Sequence, residues 1–426
     1  MITQNPVKKS DSLYLKTIDK VFSPMSLGLL TITLPDARVF KYGTGKDGVH
    51  AGIRVVRESL FKKCFWYGDV GFGEAYVDGD WDTDNITSVI EWMILNVENH
   101  PTLMSDRVKK TPVNFLKSLN KMYFALRSNT LRGSQKNIED HYDLGNDFFK
   151  LFLDPTMTYS SGYFTKANQT LQEAQIEKYD QICQKIRLKH TDYLLEIGSG
   201  WGGFAIHAAK NYGCHVKTIT ISKKQFEHAK KRFEQEGLAG KIDIQLVDYR
   251  LVEGEFDKIV SIEMIEAVGD KFLSSYFGQI QKILKKDGLV ALQMILSPDH
   301  RYDSFRENVD WIQKHIFPGS LLPSLRAIQE AIAKTGNLCL YDYDDMTPSY
   351  VKTLSIWRDN FNEKIDEVRA SGFDDQFIRK WNYYKSYCEA AFKMRNISVA
   401  QAVFTRSNNL NLEQELEKVT FAESDM

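Results

Sequence analysis

At 426 residues, 43% of them apolar, the chain can bury a core in two domains or in one domain with a large extension. Its 55 basic and 56 acidic residues leave a formal net charge of -1, which argues against a dedicated nucleic-acid binder. Five cysteines without a Cys-x-x-Cys pair disfavour a zinc site or a disulfide framework and fit a reducing cytoplasm, and the lack of any apolar run of about 18 residues leaves only peripheral membrane contact.

Lys8 and Lys9 are followed by no apolar stretch, so the N-terminus does not read as a signal peptide. Residues 29–80 alternate apolar and polar positions through Leu30–Leu34 and Gly52–Arg57, then reach the aromatic run Phe65, Trp66 and Tyr67; this predicts a small sheet. Asn85 to Asn96 carries apolar residues at helical spacing and closes an α+β module over residues 1–104. Asp78, Asp80, Asp82 and Asp84 lack the later glutamate of a calcium loop and read as a solvated turn.

Residues 105–139 form a basic linker in which Arg107, Lys109, Lys110, Lys117 and Lys121 interleave with Phe115, Leu119, Met122 and Phe124. Two readings stay open for it: an amphipathic surface for an anionic bilayer, or a helix packed on the main domain with a solvated basic face. Ser128 to Asn137 reads as a hinge. A main domain over 140–408 then alternates strands and helices, which predicts a parallel sheet covered on both faces, before a polar tail at 409–426.

Within that domain the run Leu194-Leu-Glu-Ile-Gly-Ser-Gly-Trp-Gly-Gly203 joins an apolar strand to a turn without bulky side chains, where a ligand can approach the backbone. Its spacing is neither the Gly-x-Gly-x-x-Gly of dinucleotide folds nor a P-loop, and it resembles the first motif of S-adenosylmethionine (SAM) methyltransferases. In an open parallel sheet, ligands sit beyond the carboxyl ends of the strands. Residues there include Thr220 and Gln225 for ribose hydroxyls, Asp248 for adenine, and Glu263 with Glu266 as two carboxylates at the cofactor pocket.

Five ordered stretches, His141–Phe149, Met157–Tyr163, Leu195–Gly203, Glu263–Gly269 and Phe317–Pro323, together resemble the cyclopropane-fatty-acid synthase family over nearly the whole chain. The resemblance implies an α/β class I SAM-methyltransferase (Rossmann-like) fold, a seven-stranded mostly parallel sheet with a helical cap, beside the α+β N-terminal domain. It implies methyl transfer from SAM to a cis double bond of a phospholipid acyl chain through a carbocation, with Tyr163 and Phe164 as aromatic stabilisers. It also implies a homodimer at the inner membrane face that meets unsaturated phospholipid transiently and binds no nucleic acid.

For the cofactor, the resemblance points to Tyr159 and Ser160 as a lid, Gly198, Gly200 and Trp201 around the methionine moiety, and Thr220 and Gln225 at the ribose. Trp201 is equally readable as a core aromatic, and His141 as a helix cap. The family's proposed base is a bicarbonate, which here falls to Glu266, the backbone of Ile295, Tyr350, and two departures, Ser161 for cysteine and Gln293 for histidine. Both replacements can donate hydrogen bonds to an anion. Three further readings follow: a methyl-branched or methylene product, an amine N-methyltransferase, and a silent SAM- or lipid-binding protein.

Overall fold

The computed structural model describes residues 12–46, 48–98 and 144–412. Beside a four-stranded N-terminal sheet it contains a seven-stranded sheet in the order β10-β11-β9-β8-β5-β6-β7. The strands are β5 Tyr193–Ile197, β6 His215–Thr220, β7 Ile242–Leu246, β8 Phe256–Ile262, β9 Leu284–Leu296, β10 Leu338–Asp345 and β11 Ser398–Arg406. Strands β5 to β9 pair in parallel, and β11 runs antiparallel to both of its neighbours, β9 and β10. Four of the five β5 residues are buried, which is why its sequence is a continuous apolar run rather than an alternation.

The flanking helices begin where side chains can satisfy their free amide groups. Thr170 and Glu173 form a reciprocal capping box at the start of Leu171–Lys185, and Ser222, Ser324 and Asp374 cap Lys223–Gln235, Leu325–Thr335 and Asp375–Lys393. One core lies on each face of the sheet; a third joins the helical cap to the N-terminal module.

That module holds a sheet in the order β2-β1-β3-β4, made of β1 Leu29–Thr33, β2 Val39–Tyr42, β3 His50–Val55 and β4 Trp81–Asp82. The expectation of a sheet holds except for the aromatic run: Phe65, Trp66 and Tyr67 lie in the helix Ser59–Val77, bent at Gly68 with φ of 59°. An uninterrupted aromatic triplet has neither period 2 nor period 3.6, so its partners decide. The expected helix after Asn85 is Ile86–Glu98. In the aspartate turn, Asp78 and Asp80 both take Lys63 at 2.6 Å, while Arg54 takes Asp84 at 2.7 Å.

The module is clamped to the catalytic part by polar contacts as well as by the shared core. Arg379 donates to the carbonyls of Tyr76 and Trp81 at 2.6 and 2.8 Å, Lys314 and His315 converge on Glu74, and Arg358 bridges Glu389 and Thr87. The predicted basic linker at 105–139, the hinge and His141 lie outside the described residues.

Candidate active site

The turn after β5 is shaped by its backbone. Gly198 and Ser199 both donate to the Ile219 carbonyl of the adjacent strand β6, at 3.0 and 2.9 Å, and Gly198, Gly200 and Gly202 adopt φ of 97°, 49° and 89°. A Cβ on Gly202 would stand 2.6 Å from the buried Phe233 ring, whereas one on Gly200 would meet nothing within 4 Å. Gly202 is therefore needed for packing. Gly200 keeps space open.

That space belongs to a cavity of about 1780 Å³. All eight residues expected at the cofactor, Tyr159, Ser160, Gly198, Gly200, Trp201, Thr220, Gln225 and Asp248, lie on its wall. Several are already engaged. Trp201 is packed on Phe149 and donates to Asn146 at 2.7 Å, so the core and wall readings both apply to it. Thr220 donates to Gln225 at 3.0 Å, and Asp248 is held by two side-chain nitrogens of Arg250 at 2.8 and 2.7 Å. Ser160 accepts from Lys178 at 2.7 Å, and Tyr159 donates to Tyr384 at 3.0 Å. A side-chain-free turn beside hydroxyl, amide and carboxylate groups at the strand ends suits the methionine, ribose and adenine parts of SAM.

The same cavity meets a buried carboxylate pair. Glu263 follows β8 with φ of 47°, and its backbone amide donates to the Gln293 carbonyl at 2.7 Å. One of its carboxylate oxygens accepts from the Ser161 amide at 2.9 Å and from Gln293 Nε2 at 2.7 Å; the other accepts from the Tyr350 hydroxyl at 2.8 Å. Glu266, from the short turn Ile265–Ala267, accepts the Ile295 amide at 2.5 Å on Oε1. Its Oε2 has no hydrogen-bond partner among the described residues. Burial and then the Glu263 charge push the Glu266 carboxyl up to about 8, so it is neutral at pH 7.

The mycolic acid cyclopropane synthetase family model matches residues 129–402. The chain belongs to that family. It is 35% identical over 357 residues to tuberculostearic acid methyltransferase UfaA1 of Mycobacterium tuberculosis, covering 82% of each protein. It is 36% identical over 358 residues to the cyclopropane-fatty-acyl-phospholipid synthase of Escherichia coli, covering 84% of this chain and 88% of that one. Among solved structures, cyclopropane synthase MmaA2 of Mycobacterium tuberculosis aligns with a TM-score of 0.59 at 31% identity, over 64% of this chain and 98% of that one. This synthetase-family chain is a SAM-dependent C-methyltransferase with the class I fold.

The five residues expected around a bicarbonate divide into two groups. Glu266, Ile295 and Tyr350 line the cavity, whereas Ser161 and Gln293, at 0% and 1% exposure, stand behind Glu263. Ser161 reaches the site through its backbone, since its hydroxyl donates to the Gly162 carbonyl at 2.8 Å. Glu263 takes the Ser161 amide, the Gln293 amide and the Tyr350 hydroxyl, so these donors are already engaged by a carboxylate of the chain itself. A bicarbonate does not fit this arrangement. The expected aromatic stabilisers are also displaced: Tyr163 is turned to Asp344 at 2.9 Å, Phe164 lies under Lys352 at 4.1 Å, and neither lines the cavity. Tyr159, Phe317, Tyr350 and Phe392 do.

Lys178 escaped the sequence reading. It is fully buried, donates to Ser160 and Gln175 at 2.7 Å each, and is lowered to about 7 by burial against the opposing charges of Glu263, Asp154 and Glu196. A signal was present: Leu171, Ala174, Gln175, Lys178, Tyr179 and Ile182 share the buried stripe of one helix, so two polar residues occupy core positions.

Proposed function

We propose that the chain transfers a methyl group from SAM to a cis double bond of a phospholipid acyl chain and closes the product to a cyclopropane. The observation that carries this reading is the single cavity, which includes the glycine turn, the buried carboxylates, and Ile90, Met93, Ile94 and Val97 of the N-terminal module. Apolar walls of that extent suit an acyl chain. The names of the Escherichia coli and Mycobacterium tuberculosis relatives agree with a lipid acceptor.

An alkene is a weak nucleophile, so the protein must hold it in line with the reactive methyl and exclude water. SAM, when bound, supplies the electrophilic methyl. Gly198, Gly200 and Trp201 hold its methionine end, Thr220 and Gln225 its ribose, Asp248 the adenine side, and Tyr159 with Ser160 the lid. The resulting cation on the acyl chain is faced by the rings of Tyr159, Tyr350, Phe317 and Phe392. Loss of a proton from the new methyl closes the ring; a hydride shift that moves the cation to the methyl-bearing carbon before that loss leaves a methylene chain, and loss from a neighbouring chain carbon leaves a methyl-branched alkene.

The reading includes residues 1–104 as an accessory domain, 105–139 as a basic linker and 140–408 as the catalytic domain of a homodimer at the inner membrane face. No helix among the described residues is long and apolar enough to cross a membrane, and exposed Leu13, Tyr67 and Val97 give the accessory domain apolar points for peripheral contact. Incubation with SAM and vesicles of cis-unsaturated phospholipid, followed by mass spectrometry of the fatty acids, is expected to show a mass gain of one methylene unit per double bond. An unchanged acyl profile, or turnover of a soluble amine instead, overturns the reading.

A further inference from the structure

We propose that Glu263 is the general base of this synthetase, its own carboxylate occupying the cradle in which the family resemblance expects an external bicarbonate. The inference rests on the reading above for its reaction and on geometry for its residue. Two donors that the resemblance assigns to the anion, Gln293 Nε2 and the Tyr350 hydroxyl, converge on this one carboxylate, joined by the backbone amide of Ser161 in place of its hydroxyl, while the Ile295 amide goes to Glu266. Ser161 and Gln293 are shut off behind it, and Glu263 itself lines the cavity. A glutamate at φ of 47° is an uncommon conformation for a residue with a Cβ, held here by the Gln293 carbonyl at one end and three donors at the other.

The surroundings suit a base. Burial raises the Glu263 carboxyl, while Gln293, the Lys178 charge, the Ser161 amide and Tyr350 oppose that rise, so it binds a proton more readily than a solvated carboxylate. Gln293 is itself fixed: its carbonyl oxygen accepts from Gln401 Nε2 at 3.2 Å, and Lys185 donates to Gln401 Oε1 at 2.8 Å. In the step proposed, the carbon–sulfur bond of the donor breaks as the new carbon–carbon bond forms, leaving a secondary cation. A Glu263 oxygen then removes a proton from the transferred methyl, and the released C–H electron pair closes the ring. Each turnover yields one cyclopropane, one S-adenosylhomocysteine (SAH) and one proton on Glu263. Glu263 lines the cavity, so that proton leaves to solvent when the site reopens between turnovers.

Two variants test this, Glu263→Gln and Glu263→Gly, the second also relieving the positive φ. In bicarbonate-depleted buffer, with vesicles and SAM, wild type is expected to form rings at the same rate with or without added bicarbonate. E263Q should fall by at least about 100-fold with SAH affinity unchanged. E263G should be equally slow and recover at least tenfold, roughly, on adding bicarbonate or formate. A second readout needs no lipid: the ¹³C resonance of labelled bicarbonate should broaden with E263G and not with wild type. The proposal is overturned if E263Q keeps a rate within threefold of wild type, if wild type binds or is accelerated by bicarbonate, or if E263G neither binds nor is rescued by it. A wild-type chain that alkylates no acyl chain sinks the functional reading instead, and the bicarbonate resonance still decides whether Glu263 fills the cradle.

Discussion

Gly200 and Gly202 are two residues apart and both in the left-handed region, yet an added methyl has opposite consequences at the two positions. For Gly202→Ala, the positive φ of 89° costs about 1–2 kcal/mol. The new Cβ would also lie 2.6 and 2.9 Å from two atoms of the Phe233 ring and 3.2 Å from Ala229 Cβ. Phe233 is 2% exposed and cannot swing away, so overpacking adds about 1–3 kcal/mol. The sum of about 2–5 kcal/mol corresponds to a melting temperature lower by about 5–15 °C for a domain of this size. Gly200→Ala, with nothing within 4 Å, carries only the backbone cost, a loss of about 2–6 °C. Its methyl projects into cofactor space, however, and SAH affinity should drop at least about tenfold. Differential scanning fluorimetry and isothermal titration with SAH measure both. Equal melting losses in the two variants, or undiminished SAH binding by G200A, would refute the assignment of Gly200 to the cofactor wall.

Tyr350→Phe removes the hydroxyl donated to Glu263 but keeps the ring stacked on Phe392 at 4.5 Å. Its ring-forming rate should fall about tenfold, with stability changed by no more than about 1 kcal/mol and the acidic limb of the pH–rate profile moved upward, because Glu263 loses a donor that favours its charge. Ser161→Ala and Ser161→Cys should each alter the rate less than about threefold, since the backbone amide, not the hydroxyl, meets Glu263; a large gain from cysteine would contradict this. Glu266 ionises near pH 4.3 when unfolded, roughly, and at about 8 when folded, so its contribution to stability is complete below the first value and lost as pH rises to the second. Denaturant midpoints of the ligand-free protein measured across that range should decline, and Glu266→Gln should flatten the decline; an identical slope in the variant would refute the shift.

Much of the catalytic fold was legible because local rules and tertiary demands coincide there. The apolar run of β5, the Thr170 and Ser222 caps and the glycine turn each specify their own geometry, and the strand ends then bring Thr220, Asp248 and Glu263 to one edge. Where every position is apolar, as in Phe65-Trp66-Tyr67, no period distinguishes helix from strand, and tertiary partners such as Tyr14, 5.4 Å from the Phe65 ring, decide.

The sequence by itself determined the SAM turn, the parallel sheet implied by its alternating elements, and which residue types surround the reacting centre. Only the tertiary structure decided which atoms face it. Ser161 and Glu263 are 102 positions apart, and whether a serine presents its hydroxyl or its amide depends on the neighbouring Gly162 carbonyl. Glu263 and Glu266 read as a carboxylate pair at the cofactor pocket, with Glu266 alone expected at the anion. They are separated by hydrogen bonding across elements: Glu263 collects three donors that favour its charged form, and Glu266 only one.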